Sequence, residues 1–223
     1  MPGERHPATH QLAIFGPAAV AVLVAFIVAY QFIKPAPPDR VVMATGSAEG
    51  AYHAFAQRYA EALAREGIEL ELRNTAGSVE NLRLLHNGEV GLAFVQGGVG
   101  EDRAESTLTS LGSLYYEPLW LFHRADQPLA SLRDLSGQRV AVGESGSGTR
   151  ALASRLLDDN GVGNAGRLDL GGTAAIAALK SGEVDAAFLV ISAQSPLIAD
   201  VLRDPAIRLF DFARAPAYTR RYR

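Results

Sequence analysis

Cysteine is absent from the 223 residues of this chain, and its charges nearly balance. Without cysteine, the chain can form no disulfide bond, no thiolate nucleophile and no cysteine-ligated metal site. The net charge is −3, so the chain also lacks the excess of lysine and arginine that nucleic-acid-binding proteins carry. The composition therefore argues against a disulfide scaffold, a thiol enzyme and a partner made of nucleic acid.

The motifs of several enzyme classes are missing as well. Residues 143–147 read G-E-S-G-S, which lacks the final glycine of the G-x-S-x-G nucleophile elbow. There is no G-x-x-x-x-G-K-[ST] loop for phosphate binding. His53, His86 and His123 stand apart, without H-E-x-x-H or another metal-ligand spacing. We therefore predict that the chain is not an enzyme and holds no metal or cofactor.

The N-terminal region contains a long apolar run. Residues 12–33 carry no charge and, at about 1.5 Å per helical residue, can span a hydrocarbon core of roughly 30 Å. A cleaved signal peptide, with Arg5 as its charged n-region, is the alternative, but the run is overlong and Ala-Tyr-Gln at 29–31 is a poor cleavage site. We expect an N-terminal tail at 1–11, an uncleaved transmembrane anchor at 12–33 and a proline-rich linker at 34–39.

The remainder of the chain shows the same order of signals twice, at an offset of about 95 residues. Each copy has an apolar run, a Gly/Ser turn, a helix, a second run and turn, another helix and a third run. Strands that alternate with helices of this length predict mostly parallel sheets covered on both faces. We therefore predict an α/β protein with lobe I at 40–124, lobe II at 125–213 and a cleft between them.

Two features concern how the lobes connect and end. The apolar run 119–122 is expected to be a strand that leads out of lobe I. Residues 214–223 contain no further element and are expected to form a C-terminal tail. Because no segment returns to lobe I, we expect that lobe to be incomplete.

Three glycine-containing turns precede predicted helices, at 45–50, 75–78 and 143–149. In parallel sheets such turns lie beyond the carboxyl ends of the strands, where ligands bind. The free N–H groups and the positive end of the helix dipole make each turn a potential anion site. The alternative is that glycine only supplies a positive φ and Ser or Thr only caps the helix. Both interpretations stay open at this point.

Three further residues have two interpretations each. Arg150 lies in the first turn of a helix, where a cation opposes the helix dipole, so either an anionic ligand or solvent would balance it. The amide of Gln96, at the end of an apolar strand, can serve a ligand or the loop backbone. Tyr52, one turn into the first helix of lobe I, fits the core or a ligand contact.

Four stretches of the two copies are distinctive. They are A-T-G-S at 44–47 with Gly50 and Tyr52, N-T-A-G-S-V-E-N-L at 74–82, L-A-F-V-Q at 92–96, and D-L-S-G-Q-R-V-A-V-G at 134–143 with S-G-T at 147–149. Together they resemble the TAXI family, the substrate-binding receptors of TRAP (tripartite ATP-independent periplasmic) transporters. The resemblance runs from about Arg40 to the end of the chain, and the stretch 74–82 is its most specific part.

The resemblance implies a fold like that of the type II periplasmic binding proteins, whose two lobes close on a small anionic solute such as glutamate or a dicarboxylate. It implies a TRAP permease as partner, driven by an ion gradient. With the predicted anchor, the soluble part would lie in the periplasm, tethered to the inner (cytoplasmic) membrane. Arg150 is predicted to contact the ligand because it lies in the first turn of its helix. The other predicted ligand contacts are carried over from the family motifs: Gly46, Ser47, Tyr52, Thr75, Ser78, Asn81, Gln96, Ser147 and Thr149.

Two departures from the family pattern leave other functions open. Gly97 and Gly98 follow Gln96 where the family has Ser-Asp or similar residues. The chain also ends roughly a hundred residues earlier than family members do. The alternatives are a membrane-anchored ligand sensor or interaction protein without a transport role, and a small-molecule transferase that uses the same turns. The ligand itself is not predicted, because the shape of the pocket depends on its loops.

Overall fold

The computed structural model describes residues 7–32, 38–48, 50–99, 107–213, 215–216 and 218. The chain divides into two compact units, Met1–Pro38 and Asp39–Arg223, each described by itself. The first unit contains helix α1, Pro7–Phe32. Among the described residues no helix is long and apolar enough to cross a membrane, so the predicted anchor is not confirmed. Arg5 and most of the predicted linker lie outside the described residues.

The second unit begins with a parallel sheet of three strands in the order β2-β1-β3. The strands are β1 (Arg40–Ala44), β2 (Glu69–Arg73) and β3 (Leu92–Ala93), and the helices are α2 (Ala51–Ala64) and α3 (Ser78–His86). One face of the sheet packs against apolar residues that recur along α2 at helical spacing, and the other packs against Leu84 of α3. The parallel order places the carboxyl ends of these strands along one edge, as the sequence predicted for lobe I.

The second sheet has five strands in the order β6-β5-β7-β4-β8. Its strands are β4 (Leu119–Arg124), β5 (Arg139–Ala141), β6 (Gly166–Leu168), β7 (Ala186–Val190) and β8 (Ile207–Leu209). Its helices are α4 (Gly148–Asp159), α5 (Gly172–Ser181) and α6 (Pro196–Arg203), and a short 3₁₀-helix spans Leu132–Leu135. Successive residues of β7 point to opposite faces of the sheet and enter two separate cores. Phe188 packs with α4 on one face, and Leu189 packs with α5 and α6 on the other.

Strand β4 differs from the expectation that it belongs to lobe I. It pairs antiparallel with both β7 and β8, with Leu121 opposite Phe188, so the second sheet is mixed. Leu121 and Phe122 point to opposite faces, and both are fully buried. A strand that is apolar on both faces is stable only where helices cover both sides of the sheet. Strand β4 lies inside the second sheet, where both of its faces are covered: α4 packs on one face, and α5 and α6 pack on the other.

Candidate functional site

The N-termini of α3 and α4 face each other across the two lobes. The carbonyl oxygen of Gly146, before α4, accepts hydrogen bonds from the backbone N–H groups of Val79 (3.2 Å) and Glu80 (3.3 Å). These N–H groups lie in the first turn of α3 and have no partner within their own helix. A peptide oxygen of lobe II thus supplies the negative partial charge that the positive end of α3 attracts.

Glycine is required at this junction because the two backbones nearly touch. A Cβ atom on Gly77 would lie 3.3 Å from Cα of Ser147, and one on Gly146 would lie 3.1 Å from Cβ of Ala76. Gly77 and Gly146 also have φ angles of 128° and 84°, which side-chain-bearing residues rarely adopt. Two of the three predicted turns therefore lie together, and their glycines permit the contact between the lobes.

Ser78 and Gln96 border the junction. The Ser78 side chain is buried, and its Oγ accepts a hydrogen bond from the backbone N–H of Gln96 at 2.9 Å. The side chain of Gln96 lies directly against Gly148, where any Cβ atom would collide with its Oε1. The structure therefore brings Ser78, Gln96 and the first turn of α4 together, and their contacts with a ligand stay predictions.

Asn81, Thr75 and Thr45 form a buried network beneath this surface. Asn81 is fully buried, and its Nδ2 donates to the carbonyl oxygens of Thr45 (2.9 Å) and Phe94 (2.7 Å). Its Oδ1 accepts a hydrogen bond from Oγ1 of Thr75 at 2.6 Å. Because the donors and the acceptor of the amide are used within the protein, this geometry favours a structural role for Asn81. The ligand contacts predicted for Asn81 and Thr75 stay predictions.

Tyr52 contacts a carboxylate of the chain itself. Its hydroxyl donates to Oε2 of Glu117 at 2.5 Å, and the hydroxyl of Tyr115 donates to Oε1 of the same residue at 3.0 Å. The ring of Tyr52 stacks on Phe94 with centroids 5.3 Å apart, and the ring of Tyr115 stacks on Phe55 at 5.0 Å. The four rings and one carboxylate form a compact group, called the Glu117 cluster below, at the carboxyl end of β3.

Burial and the neighbouring carboxylate keep both tyrosines protonated. Burial is the larger cause that raises the pKa of Tyr52 far above its ordinary value, followed by its hydrogen bond to Glu117. Burial also raises the pKa of Tyr115, and the negative charge of Glu117 adds to the effect. Both shifts favour the neutral, hydrogen-bond-donating form of these hydroxyls.

The sequence analysis did not single out Glu117 or Tyr115. A signal was present, because Glu117 is the only Asp, Glu, Lys or Arg in the otherwise uncharged stretch 106–123. An isolated charge in an apolar segment is expected to have a specific partner. Here the partners are the two tyrosines. Sequence spacing does not reveal the pairing with Tyr52, because Tyr52 lies 65 residues away from Glu117.

The other predicted contacts lie around the junction and are partly used by the fold. Arg150 forms an ion pair through Nη1 with Oδ1 of Asp169, which balances its charge within the protein. Oγ of Ser147 caps α4 by accepting the N–H of Arg150 at 3.1 Å. Gly46 is buried beside the ring of Tyr52, Ser47 is exposed, and Thr149 is half-buried. Their contacts with a ligand also stay predictions.

Two other features of the described residues lie outside this site. A cavity of about 490 Å³ borders the 3₁₀-helix and the end of α4, and none of the predicted ligand contacts lines it. Within the described part of the chain, no group of three or more His, Asp and Glu side chains is arranged to hold a metal ion.

Solved structures with similar folds include several solute-binding proteins. The alkanesulfonate-binding protein SsuA from Xanthomonas axonopodis pv. citri, bound to MOPS, matches 79% of this chain with a TM-score of 0.52 and 21% identity. An ancestral arginine-binding protein bound to arginine matches 77% of the chain (TM-score 0.53, 18% identity) and is itself 78% covered. The substrate-binding protein of an amino acid ABC transporter matches 77% of the chain (TM-score 0.53, 16% identity) and is 78% covered.

These similarities establish the fold, which is α/β and like that of the periplasmic binding proteins. The chain covers 62% of the length of the Xanthomonas sulfonate-binding protein. The model of the NMT1-like family matches residues 43–219, which include the whole second sheet, most of the first sheet and the junction between α3 and α4. The chain therefore belongs to the NMT1-like family.

Proposed function

We propose that this chain is an extracytoplasmic receptor that binds a small organic solute between its lobes for a membrane transporter and catalyses no reaction. The observation that carries the proposal is the junction of α3 and α4, where the Gly146 oxygen occupies the N–H groups of Val79 and Glu80. A carboxylate oxygen of a solute has the same hydrogen-bonding capacity and a full negative charge, so it would bind these N–H groups more strongly.

The proposed solute is a small organic anion, either an amino acid such as glutamate or a dicarboxylate. Its carboxylate would replace Gly146 at the N-terminus of α3, while Ser78, Gln96 and Ser147 surround it. The structural relatives bound to MOPS and to arginine support a small organic ligand at this fold. Closure of the lobes would then exclude water from the solute.

The proposed transport partner is the membrane part of a TRAP transporter, driven by an ion gradient. This part of the proposal rests on the TAXI-like stretches, above all residues 74–82, which supply both Ser78 and the N-terminus of α3. The N-terminal segment would hold the receptor at the inner membrane, with the second unit in the periplasm.

A solute panel tests the proposal on the purified full chain. Amino acids, dicarboxylates and alkanesulfonates are each added at increasing concentration, and melting temperature and heat of binding are measured. A solute at a hundred times its Kd stabilises the folded state by about 2.7 kcal/mol, which corresponds to a rise of roughly 5 to 10 °C for a chain of this size. We expect at least one carboxylate to produce such a rise.

A matched pair of variants locates the binding. Gln96→Ala removes an amide at the junction, whereas Gln127→Ala removes an exposed amide in the loop after β4. We expect Gln96→Ala to weaken binding of the best solute of the panel by about tenfold or more, since a hydrogen bond to a charged group contributes about 1.5–3 kcal/mol. Gln127→Ala should bind like the unmodified chain. If no solute binds by either measurement, the proposed function is wrong.

A further inference from the structure

Among the described residues, the carboxylate of Glu117 has hydrogen-bond partners but no ion-pair partner. Both of its oxygens accept from tyrosine hydroxyls, which are neutral groups. In the described part of the chain the ion pairs involve other carboxylates, and none includes Glu117. A half-buried negative charge without a cation is unfavourable, because the surrounding protein replaces part of its hydration shell.

The rings of the Glu117 cluster also favour a cation. Aromatic faces carry partial negative charge and attract ammonium and guanidinium groups. One such contact already exists at the cluster, where the guanidinium of Arg58 lies 5.8 Å from the ring centroid of Phe55. None of the ion pairs in the described part of the chain joins Arg58 to Glu117, so the carboxylate keeps its capacity for another cation. Each carboxylate oxygen retains a second lone pair for a further donor.

The cluster lies beside the anion site at the carboxyl end of β3. Tyr52, which donates to Glu117, stacks on Phe94, and the backbone N–H of Gln96, two residues further along the chain, donates to Oγ of Ser78. Ser78 is the first residue of α3, and the N–H groups of Val79 and Glu80 follow it directly. The Glu117 cluster and the N-terminus of α3 thus both lie at the carboxyl end of β3. One small solute that carries both an ammonium and a carboxylate group matches this arrangement.

Resting on the proposed function, we propose that Glu117 is the specificity-determining residue of the site and selects solutes with an ammonium group. The solute is then a zwitterionic amino acid, and its carboxylate lies at α3 while its ammonium group lies at Glu117. Dicarboxylates and hydroxy acids are discriminated against, because they would place a negative or neutral group against an unneutralised carboxylate.

Pairs of solutes that differ only at one group test this assignment. L-Glutamate and 2-hydroxyglutarate differ in whether an ammonium or a hydroxyl group is present, as do L-alanine and lactate. Affinities are measured by titration calorimetry with the full chain, the variant Glu117→Gln and the control Glu66→Gln, an exposed residue just beyond α2. Glu117→Gln keeps the size of the side chain and removes its charge.

The unmodified chain should bind the preferred amino acid roughly tenfold or more tightly than its hydroxy acid, the range expected for a charged hydrogen bond. Glu117→Gln should reduce that ratio to about twofold or less, and Glu66→Gln should leave it unchanged. If the unmodified chain binds a hydroxy acid or dicarboxylate as tightly as the amino acid, the assignment is wrong, whatever the folding of the variants.

The two proposals fail in distinguishable ways. A hydroxy acid that binds as well as its amino acid overturns the role of Glu117 and leaves the receptor function standing. If a folded Glu117→Gln variant still prefers the amino acid over its hydroxy acid to the same degree, the role of Glu117 is also overturned and the receptor function stands. Glu117 would then serve only to hold segment 107–118 against lobe I. Binding of none of the solutes overturns the receptor function, and the role of Glu117 falls with it.

Discussion

Replacing Asn81 by alanine should destabilise the protein strongly. The change removes the two hydrogen bonds from Nδ2 to the carbonyl oxygens of Thr45 and Phe94 and the bond from Thr75 to Oδ1. Each buried polar group left without a partner costs about 1–3 kcal/mol, so the two carbonyl groups alone account for about 2–6 kcal/mol. We expect Asn81→Ala to lower the free energy of unfolding by about 3 kcal/mol or more.

Urea-induced unfolding of the full chain measures this loss as a shift of the transition midpoint. Asn81→Asp separates its causes, because the carboxylate keeps the volume and still accepts from Thr75 but cannot donate to the two carbonyl groups. It should destabilise at least as much as alanine does. Asn87→Ala, at the exposed end of the same helix, is the control and should change stability by less than about 0.5 kcal/mol.

The reasoning about Asn81 would be refuted by a variant of nearly normal stability. If Asn81→Ala unfolds within about 1 kcal/mol of the unmodified chain, the two carbonyl groups do not depend on it. If the same variant also loses its affinity for the solute, Asn81 contacts the ligand directly, as the family resemblance implies. The experiment thus distinguishes a structural role from a binding role.

Three further predictions concern the helix ends and one ion pair. Ser147→Ala removes the cap of α4 and should lower stability by about 1 kcal/mol in urea unfolding. Gly146→Ala should cost about 1–2 kcal/mol in the same assay, because φ is 84° and the new Cβ would lie 3.1 Å from Ala76. The Arg139 hydrogen bonds lower the pKa of Asp185, so the stability difference from Asp185→Asn should persist from pH 7 to about 5 and close as the pH falls below about 4.

Each of these predictions has a matched control. Ser110→Ala and Gly112→Ala change exposed positions of the connecting segment, and Gly112 has no atom within 4 Å of its added Cβ, so neither should alter stability measurably. Asp200→Asn changes an exposed carboxylate and should show no comparable dependence on pH. An Asp185→Asn difference that grows at low pH would contradict the sign of the linkage, and an unchanged Gly146→Ala would show that the junction is looser than described.

Local patterns were sufficient to predict most elements of the fold. The strict alternation of apolar residues in β2 and the serine-proline start of α6 correspond to the observed elements. The sheet to which β4 belongs was not predictable in this way. Its apolar run indicates burial on both faces, but the choice of β7 and β8 as neighbours depends on strands more than 60 residues away.

The same distinction between local and long-range signals holds for the candidate site. The turns before α3 and α4 were recognisable because Gly, Ser and Thr at helix starts have a local physical reason. That the Gly146 oxygen would occupy the N–H groups of α3 is a tertiary contact and left no local signal. The balance of charges at the site could not be predicted from the sequence either. Asp169 neutralises Arg150, and Glu117 adds a negative charge to a site that was expected to attract anions.

The junction between α3 and α4 consists of peptide groups, and this has a consequence for the conditions under which it persists. The N–H groups of Val79 and Glu80 and the oxygen of Gly146 neither titrate nor bind counterions in the usual range of pH and ionic strength. Exposed ion pairs such as Arg124 with Asp126 weaken as salt rises, because the Debye length falls to about 3 Å at 1 M. For a protein that works outside the cytoplasm and meets the salt and acidity of its surroundings, the contact between α3 and α4 is built from the groups that those changes affect least.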